Sequence, residues 1–275
     1  MNDTRVKLLS IGVAESKIAG RCAGADKDAK EMFEEVSSLV SPVYSRLLIS
    51  EKATAANVSR EMAAVCSDTD LAVIFYAGHG GSQKIKYNAP EELDGKDEYI
   101  LLHDTYMLDD QIWNIVSKAE CRVFFIFDCC HSETMFRFAG NIVNIAEKNQ
   151  IKKFLKNIWY KLVSIFSPQN SIFAGWKSKR EAKKREAILL NQQPAFSELL
   201  CWSACADDKV SLGNSSGGLF TLTLLSYLEH CCALTYEAFW NKVSVDARLA
   251  SRETCKSTLL VGTGKDTFKD RSVFT

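Results

Sequence analysis

The chain is expected to fold as an α/β domain on a mostly parallel, six-stranded sheet with helices on both faces. Three observations predict this. Six short apolar runs recur along the sequence, segments of helical period separate most of them, and two runs, at 71–77 and 123–127, are apolar at every position. Strands that are covered on both faces read as such continuous runs, and alternating strands and helices favour parallel pairing.

The elements follow in order. "RVKLLSIGVA" reads as a buried first strand, and "GADKDAKEMFEEVSSLV" as a helix with Met32, Phe33, Val36, Leu39 and Val40 on its apolar side. "VYSRLLIS" is a second strand, and "TAANVSREMAAVC" a helix that Thr54 caps. "DLAVIFYAGHG" is a buried strand, "LDDQIWNIVSKA" a helix, and "CRVFFIFD" the fourth strand. After residue 195 the pattern resumes with the strand "SELLCWSACAD", the helices "GGLFTLTLLSYLEHCC" and "TYEAFWNKVSVDARLA", and the last strand "STLLVG". The reading is one domain over residues 1–275, with a basic helical insertion at about 141–195 and no internal repeat.

Composition narrows the function classes. The 275 residues are 47% hydrophobic and 25% charged, which is ordinary for a globular chain. Basic and acidic residues number 34 each, so no overall field argues for nucleic acid or for a strongly charged partner. The N-terminal run "LLSIGVA" is short and is followed at once by Glu15 and Lys17, so it reads as a strand and not as a secretory leader. No stretch approaches the roughly 18 apolar residues of a membrane span. The expectation is a cytoplasmic protein whose ten cysteines, scattered or adjacent, are small buried hydrophobes and not a disulfide framework.

In parallel sheets, functional groups collect where strands end at the carboxyl edge. Two strands end conspicuously here: one in Gly78-His79-Gly80-Gly81, the other in Asp128-Cys129-Cys130-His131. If the strands are neighbours, a histidine and a pair of cysteines meet. A nearby base favours a cysteine's thiolate and makes it a nucleophile. The glycines around His79 let a substrate backbone approach, and an N–H of that loop can help hold an oxyanion. Zinc binding by His79, Cys129, Cys130 and His131 is disfavoured, because adjacent cysteines suit tetrahedral geometry poorly and no CxxC pair supports them. His103 and His230 read as structural.

"YAGHGG" followed by "FFIFDCCHS" resembles the His-Gly and Asp-x-Cys-His-Ser signatures of caspase-like cysteine peptidases, in particular the metacaspase branch. "CAGADKDAKEM", "EELDGKDEYILLHD", "LDDQI", "WSACADDKVS" and "GGLFTLTLL" agree in order, so the resemblance spans nearly the whole chain outside the insertion. The 51 positions between His79 and Cys130 match the roughly 50-residue spacing of caspases. The resemblance implies a caspase-like fold, Cys130 as nucleophile, His79 as base, Cys129 as a spacer, and the amides of Gly80 and Cys130 as the oxyanion hole. It also implies cleavage after Arg or Lys, which needs pocket carboxylates because an unpaired buried charge is very costly. Asp128 and Asp28 hold the matching positions, with Asp26 as a neighbour that a small shift would substitute. Ala77, Trp202 and Ser203 complete the expected substrate-binding set.

Three departures from the pattern matter. Ala77 stands where the family often has serine, and Glu133 where it has glycine. Asp94, Asp109 and Asp110 match the acids through which many metacaspases bind calcium, but Arg137 stands where a further acid is expected. Calcium takes six to eight oxygen ligands, so a cation in place of a ligand disfavours calcium activation. No cofactor is otherwise implied.

Within the insertion, residues 151–166 place Ile151, Phe154, Leu155, Ile158, Trp159, Leu162 and Phe166 on one helical face, with Lys152, Lys153, Lys156 and Lys161 elsewhere. Such a helix can meet a membrane or a partner's groove, although packing on its own domain is favoured over membrane contact. Lys177, Lys179, Arg180, Lys183, Lys184 and Arg185 follow as a candidate processing site or tethered pseudo-substrate. The run lacks the aromatic interleaving of a nucleic-acid binder. The sequence thus predicts a cysteine endopeptidase acting on protein or peptide substrates, made as a zymogen or held by its insertion. Its compactness suits an effector switched on by an activating protein partner in a defence or cell-death pathway. The alternative is a non-catalytic caspase-like interaction module that binds a partner through the insertion.

Overall fold

The structure is a computed structural model that describes residues 4–84, 96–129, 198–204, 213–251, 255–261 and 270–275. The central sheet comprises β1 (Val6–Gly12), β2 (Tyr44–Ile49), β3 (Leu71–Ala77), β7 (Arg122–Asp128), β8 (Glu198–Ser203) and β11 (Lys256–Val261), in the order β11-β8-β7-β3-β1-β2. All neighbours pair in parallel except β11, which runs antiparallel to β8 at one edge. This is the expected mostly parallel, six-stranded sheet.

Alternation along the two central strands builds the core on both sides at once. In β3, Ala72, Ile74 and Tyr76 face one layer, while Leu71, Val73, Phe75 and Ala77 face the other. The first layer holds α2 (Ala55–Val65) and α3 (Asp109–Val116), through Val58, Met62, Ile112 and Val116. The second holds α1 (Ala25–Val40), α4 (Leu219–Leu228) and α5 (Tyr236–Ser251), through Met32, Val36, Leu224, Phe239 and Val243. Phe124 centres this second layer, edge-on to Trp202 at 4.7 Å and to Tyr236 at 5.1 Å. Among the described residues no helix is long and apolar enough to cross a membrane.

One layer of structure departs from the sequence reading. The stretch "EELDGKDEYILLHD", in which the sequence reading places no strand, contains β5 (Lys96–Leu101), which lies between β4 (Gly80–Lys84) and β6 (Tyr106–Leu108) in a small antiparallel sheet. A second short hairpin pairs β9 (Gly213–Asn214) with β10 (Gly217–Gly218) just before α4. Neither has the apolar alternation by which strands are recognised. The insertion at 141–195, with its amphipathic and basic runs, lies outside the described residues.

Thr54 does cap α2: its Oγ1 accepts the Asn57 N–H at 3.3 Å, satisfying one of the donors that a helix start leaves open. Thr54→Ala is therefore expected to lower stability by about 1 kcal/mol, read as a shift of the urea midpoint at unchanged slope.

Candidate active site

Parallel, in-register pairing places the carboxyl ends of β3 and β7 side by side, with Ala77 opposite Asp128. The chain then leaves β3 through Gly78, whose N–H donates to the Asp128 carbonyl at 3.3 Å. His79 follows, half-buried, and β4 starts at the next residue. The expected histidine loop and the expected aspartate thus share one sheet edge.

The backbone of His79 is held from two sides. Its carbonyl accepts the Leu101 N–H at 2.9 Å, and the hydroxyl of buried Tyr76 lies 2.8 Å from the same oxygen. The Tyr76 hydroxyl is also 2.7 Å from the Leu101 carbonyl. Its ring fills the space beneath Gly78, where a Cβ would stand 2.5 Å from the hydroxyl oxygen. Glycine at 78 is required by this close approach.

Side-chain alternation separates the residues that end β7. Asp128 faces the layer of α1 and α4, while Cys129, 1% exposed, is turned into the core of the opposite layer. A thiol enclosed in this way cannot meet a substrate carbonyl. Cys130, His131, Glu133, Arg137 and Asp94 lie outside the described residues.

Asp128 and Asp28 converge on the start of α4. Asp128 Oδ2 accepts both the Thr221 hydroxyl at 2.6 Å and the Thr221 N–H at 3.1 Å. Asp28, in the first turn of α1, accepts the Gly218 N–H at 2.9 Å through Oδ2. Gly217 and Gly218 pass between the two acids: a Cβ at Gly217 would stand 2.3 Å from Asp28 Oδ1, and one at Gly218 2.1 Å from Asp128 Oδ2. Both acids are buried, at 3% and 6% exposure, and among the described residues Asp28 Oδ1 has no hydrogen-bond partner. Burial pushes the Asp28 carboxyl up to about 7, and the neighbouring charges of Asp128 and Glu31 add to this against the Gly218 N–H and Lys27.

Asp26, two residues before Asp28, has a different part. Its Oδ1 accepts the Ala14 N–H at 2.9 Å and the Ser50 N–H at 3.2 Å, and its Oδ2 takes the Ser50 hydroxyl. It ties the ends of β1 and β2 to α1, and leaves Asp28 as the acid that meets Asp128.

The other expected site residues sit as follows. Ala77 is buried beside Asp128 in the α1 and α4 layer. Trp202, 1% exposed, packs in that core against Phe124, Tyr236, Phe239 and Trp240, with ring centroids 4.7–6.0 Å away. Ser203 is buried, its hydroxyl 3.7 Å from the Cys201 sulfur. Asp109 and Asp110 begin α3, where Asp109 Oδ1 accepts the Asp110 N–H at 2.9 Å. Among the described residues no three His, Cys, Asp or Glu side chains converge as a metal site. His103 Nδ1 lies 3.0 Å from the Glu15 carbonyl, and His230 is exposed beside Glu229.

The sequence reading missed three participants: Gly218 and Thr221, which bind the acids, and the Tyr76 hydroxyl. Two consecutive glycines at a helix start, where a capping serine or aspartate is usual, were the available signal for the first two.

Known proteins resemble the chain in sequence and in fold. A caspase-domain family profile matches residues 7–263. Among curated proteins the chain is similar to metacaspase-1 of Mycosarcoma maydis, 24% identical over 63% of the chain, and to metacaspase-5 of Trypanosoma cruzi, 25% identical over 50% of it. It spans 48% and 36% of those two proteins. Among solved structures, a Geobacter sulfurreducens protein superimposes with a TM-score of 0.63 at 19% identity over 98% of both chains. Caspase-1 from Spodoptera frugiperda superimposes with a TM-score of 0.56 at 9% identity, over 99% of this chain and 93% of its own. Both solved structures share the fold.

The acid pair has a consequence for stability. Folded Asp28 keeps its proton up to about pH 7, whereas the unfolded carboxyl releases it near 3.8. The folded state therefore binds more protons between these values, and stability falls as pH rises from about 4 to 7. Asp28→Asn is expected to stabilise the protein by ~2 kcal/mol more at pH 8 than at pH 4, measured by urea unfolding; an equal effect at both pH values would contradict the burial of this charge.

Proposed function

Because the chain belongs to the caspase-domain family of cysteine peptidases, we propose that it cleaves protein substrates after Arg or Lys through a His79–Cys130 dyad. The observation that carries the specificity is the acid pair. Two carboxylates buried at the dyad's sheet edge, one with an oxygen that accepts no hydrogen bond among the described residues, form an unfavourable arrangement for the fold alone. A guanidinium or ammonium group answers it with charge and with donors for the open oxygen.

In this reading His79 takes the proton of the Cys130 thiol, and the thiolate attacks the carbonyl carbon after the cationic residue. The N–H groups of Gly80 and Cys130 hold the oxygen as it becomes negative, and His79 returns the proton to the departing amine. Water then attacks the acyl-enzyme with His79 again as base, which frees the product and restores the thiol. The contacts to the His79 carbonyl hold the backbone of the base at the β3–β7 edge throughout. The basic run from Lys177 to Arg185 supplies bonds of the matching kind within the chain, so self-processing is part of the proposal.

Cys130→Ala and His79→Ala are each expected to abolish turnover of a fluorogenic peptide ending in Arg or Lys, and undiminished turnover in either would remove the dyad. Asp128→Asn is expected to lower kcat/KM for such peptides about 100-fold, mostly in KM, since it unbalances a buried charge contact. Ionised Asp28 is the form that binds a cation, so KM should rise as pH falls through about 7. That rise should vanish in Asp28→Asn. For self-processing, intact mass after incubation should show two fragments cut within residues 177–185 for wild type and one chain for Cys130→Ala; a single wild-type mass under conditions that support peptide turnover rules it out.

A further inference from the structure

We propose that Tyr76 is a positioning residue for the catalytic base: its hydroxyl, shared between the carbonyls of His79 and Leu101, locks the histidine loop to the small antiparallel sheet. The assignment rests on the dyad reading above, and concerns a residue to which that reading gives no part.

A tyrosine needed only for packing would show its ring to the core and its hydroxyl to water. Tyr76 does not. The residue is fully buried, its ring is tilted against Phe127 at 6.3 Å, and its hydroxyl reaches two backbone oxygens at 2.8 and 2.7 Å. A hydroxyl has one proton, so the two carbonyls share it. Without it, among the described residues the His79 carbonyl would keep only the Leu101 N–H at 2.9 Å, and the Leu101 carbonyl would lose this contact in a buried setting.

The location gives the contact its meaning. His79 lies on a two-residue passage between β3 and β4, and a short passage can pivot about both ends. The hydroxyl fixes the middle of that passage from below, and Gly78 leaves the space for it to do so. A shift of about 1 Å in a reacting group can cost roughly 100-fold in rate, so a clamp on the base's own carbonyl acts on the chemical step and not on the pocket of the acids. Tyr99 provides an internal comparison. Its hydroxyl fills the space beneath Gly81, where a Cβ would stand 2.5 Å away, but it holds no part of the His79 carbonyl.

The test is Tyr76→Phe in the full chain, with Tyr99→Phe as control, read by steady-state kinetics on an Arg-ending fluorogenic peptide and by the rate of Cys130 alkylation with iodoacetamide across pH. Tyr76→Phe should lower kcat ~10-fold or more with KM within about twofold, and should slow alkylation near neutral pH, while Tyr99→Phe leaves both within about twofold. Equal effects of the two variants, or a loss confined to KM, would overturn the assignment. Should Tyr76→Phe fail to fold, 4-aminophenylalanine at position 76 keeps the ring and offers an N–H to each of the two carbonyls. Its kcat should stay within about threefold of wild type; a loss of ~10-fold or more in the folded variant would sink the proposal. Failure of the dyad reading looks different: wild type would turn over no peptide, and its alkylation would match that of His79→Ala, in which case the assignment falls with it.

Discussion

The parallel, in-register pairing of β3 with β7 is the constraint on which the rest depends. It sets Ala77 opposite Asp128, and so brings the histidine loop and the acid to one edge although His79 and Asp128 are 49 positions apart in the sequence. A slip of one residue would turn Asp128 away from α1 and α4 and bring Cys129 towards them, reversing which group faces that layer. Continuous apolar runs resist such a slip because each face packs against its own layer: Phe124 against Trp202 and Tyr236 on one side, Phe125 stacked with Phe127 at 5.2 Å on the other. The packing of the core thereby fixes the orientation of the chemistry.

Around that edge the protein holds groups that its stability alone would not select. Asp28 and Asp128 stand buried near each other, with Gly217 and Gly218 passing between them too closely for any side chain. Asp26 shows the contrast: three hydrogen bonds satisfy it, and it acts as a brace between β1, β2 and α1. Natural proteins keep such unfavourable arrangements where function uses them. The acid pair is one such arrangement, and on the proposed reading its use is to hold a cation.

Much of this was legible in the sequence, for physical reasons. Strands buried on both faces have to be apolar throughout, so β3 and β7 stood out, and their abrupt ends in Gly78-His79-Gly80 and Asp128-Cys129 marked the edge. Thr54 announced its cap by type and position. The small sheet of β4, β5 and β6 was not legible, because "GGSQK" and "KDEYIL" lack a clean alternation and pair through backbone contacts that periodicity does not encode. The antiparallel direction of β11 is equally silent in a run such as "STLLVG". Tyr76 was read as part of an apolar strand, since nothing in "VIFYAG" tells whether a tyrosine hydroxyl reaches carbonyls or solvent. Trp202 was expected at the substrate, whereas its ring is enclosed by Phe124, Tyr236, Phe239 and Trp240; an apolar residue at a strand end gives no sign of which layer will cover it.

On the proposed reading, a cation-binding acid pair directs a cysteine nucleophile. The most direct measurement compares two peptides that differ only at the residue before the scissile bond, one with arginine and one with citrulline, which keeps arginine's shape but not its charge. kcat/KM should be at least ~100-fold higher for arginine at pH 8, with the ratio collapsing in the Asp28→Asn, Asp128→Asn double variant. Equal turnover of the two peptides by wild type would contradict that reading.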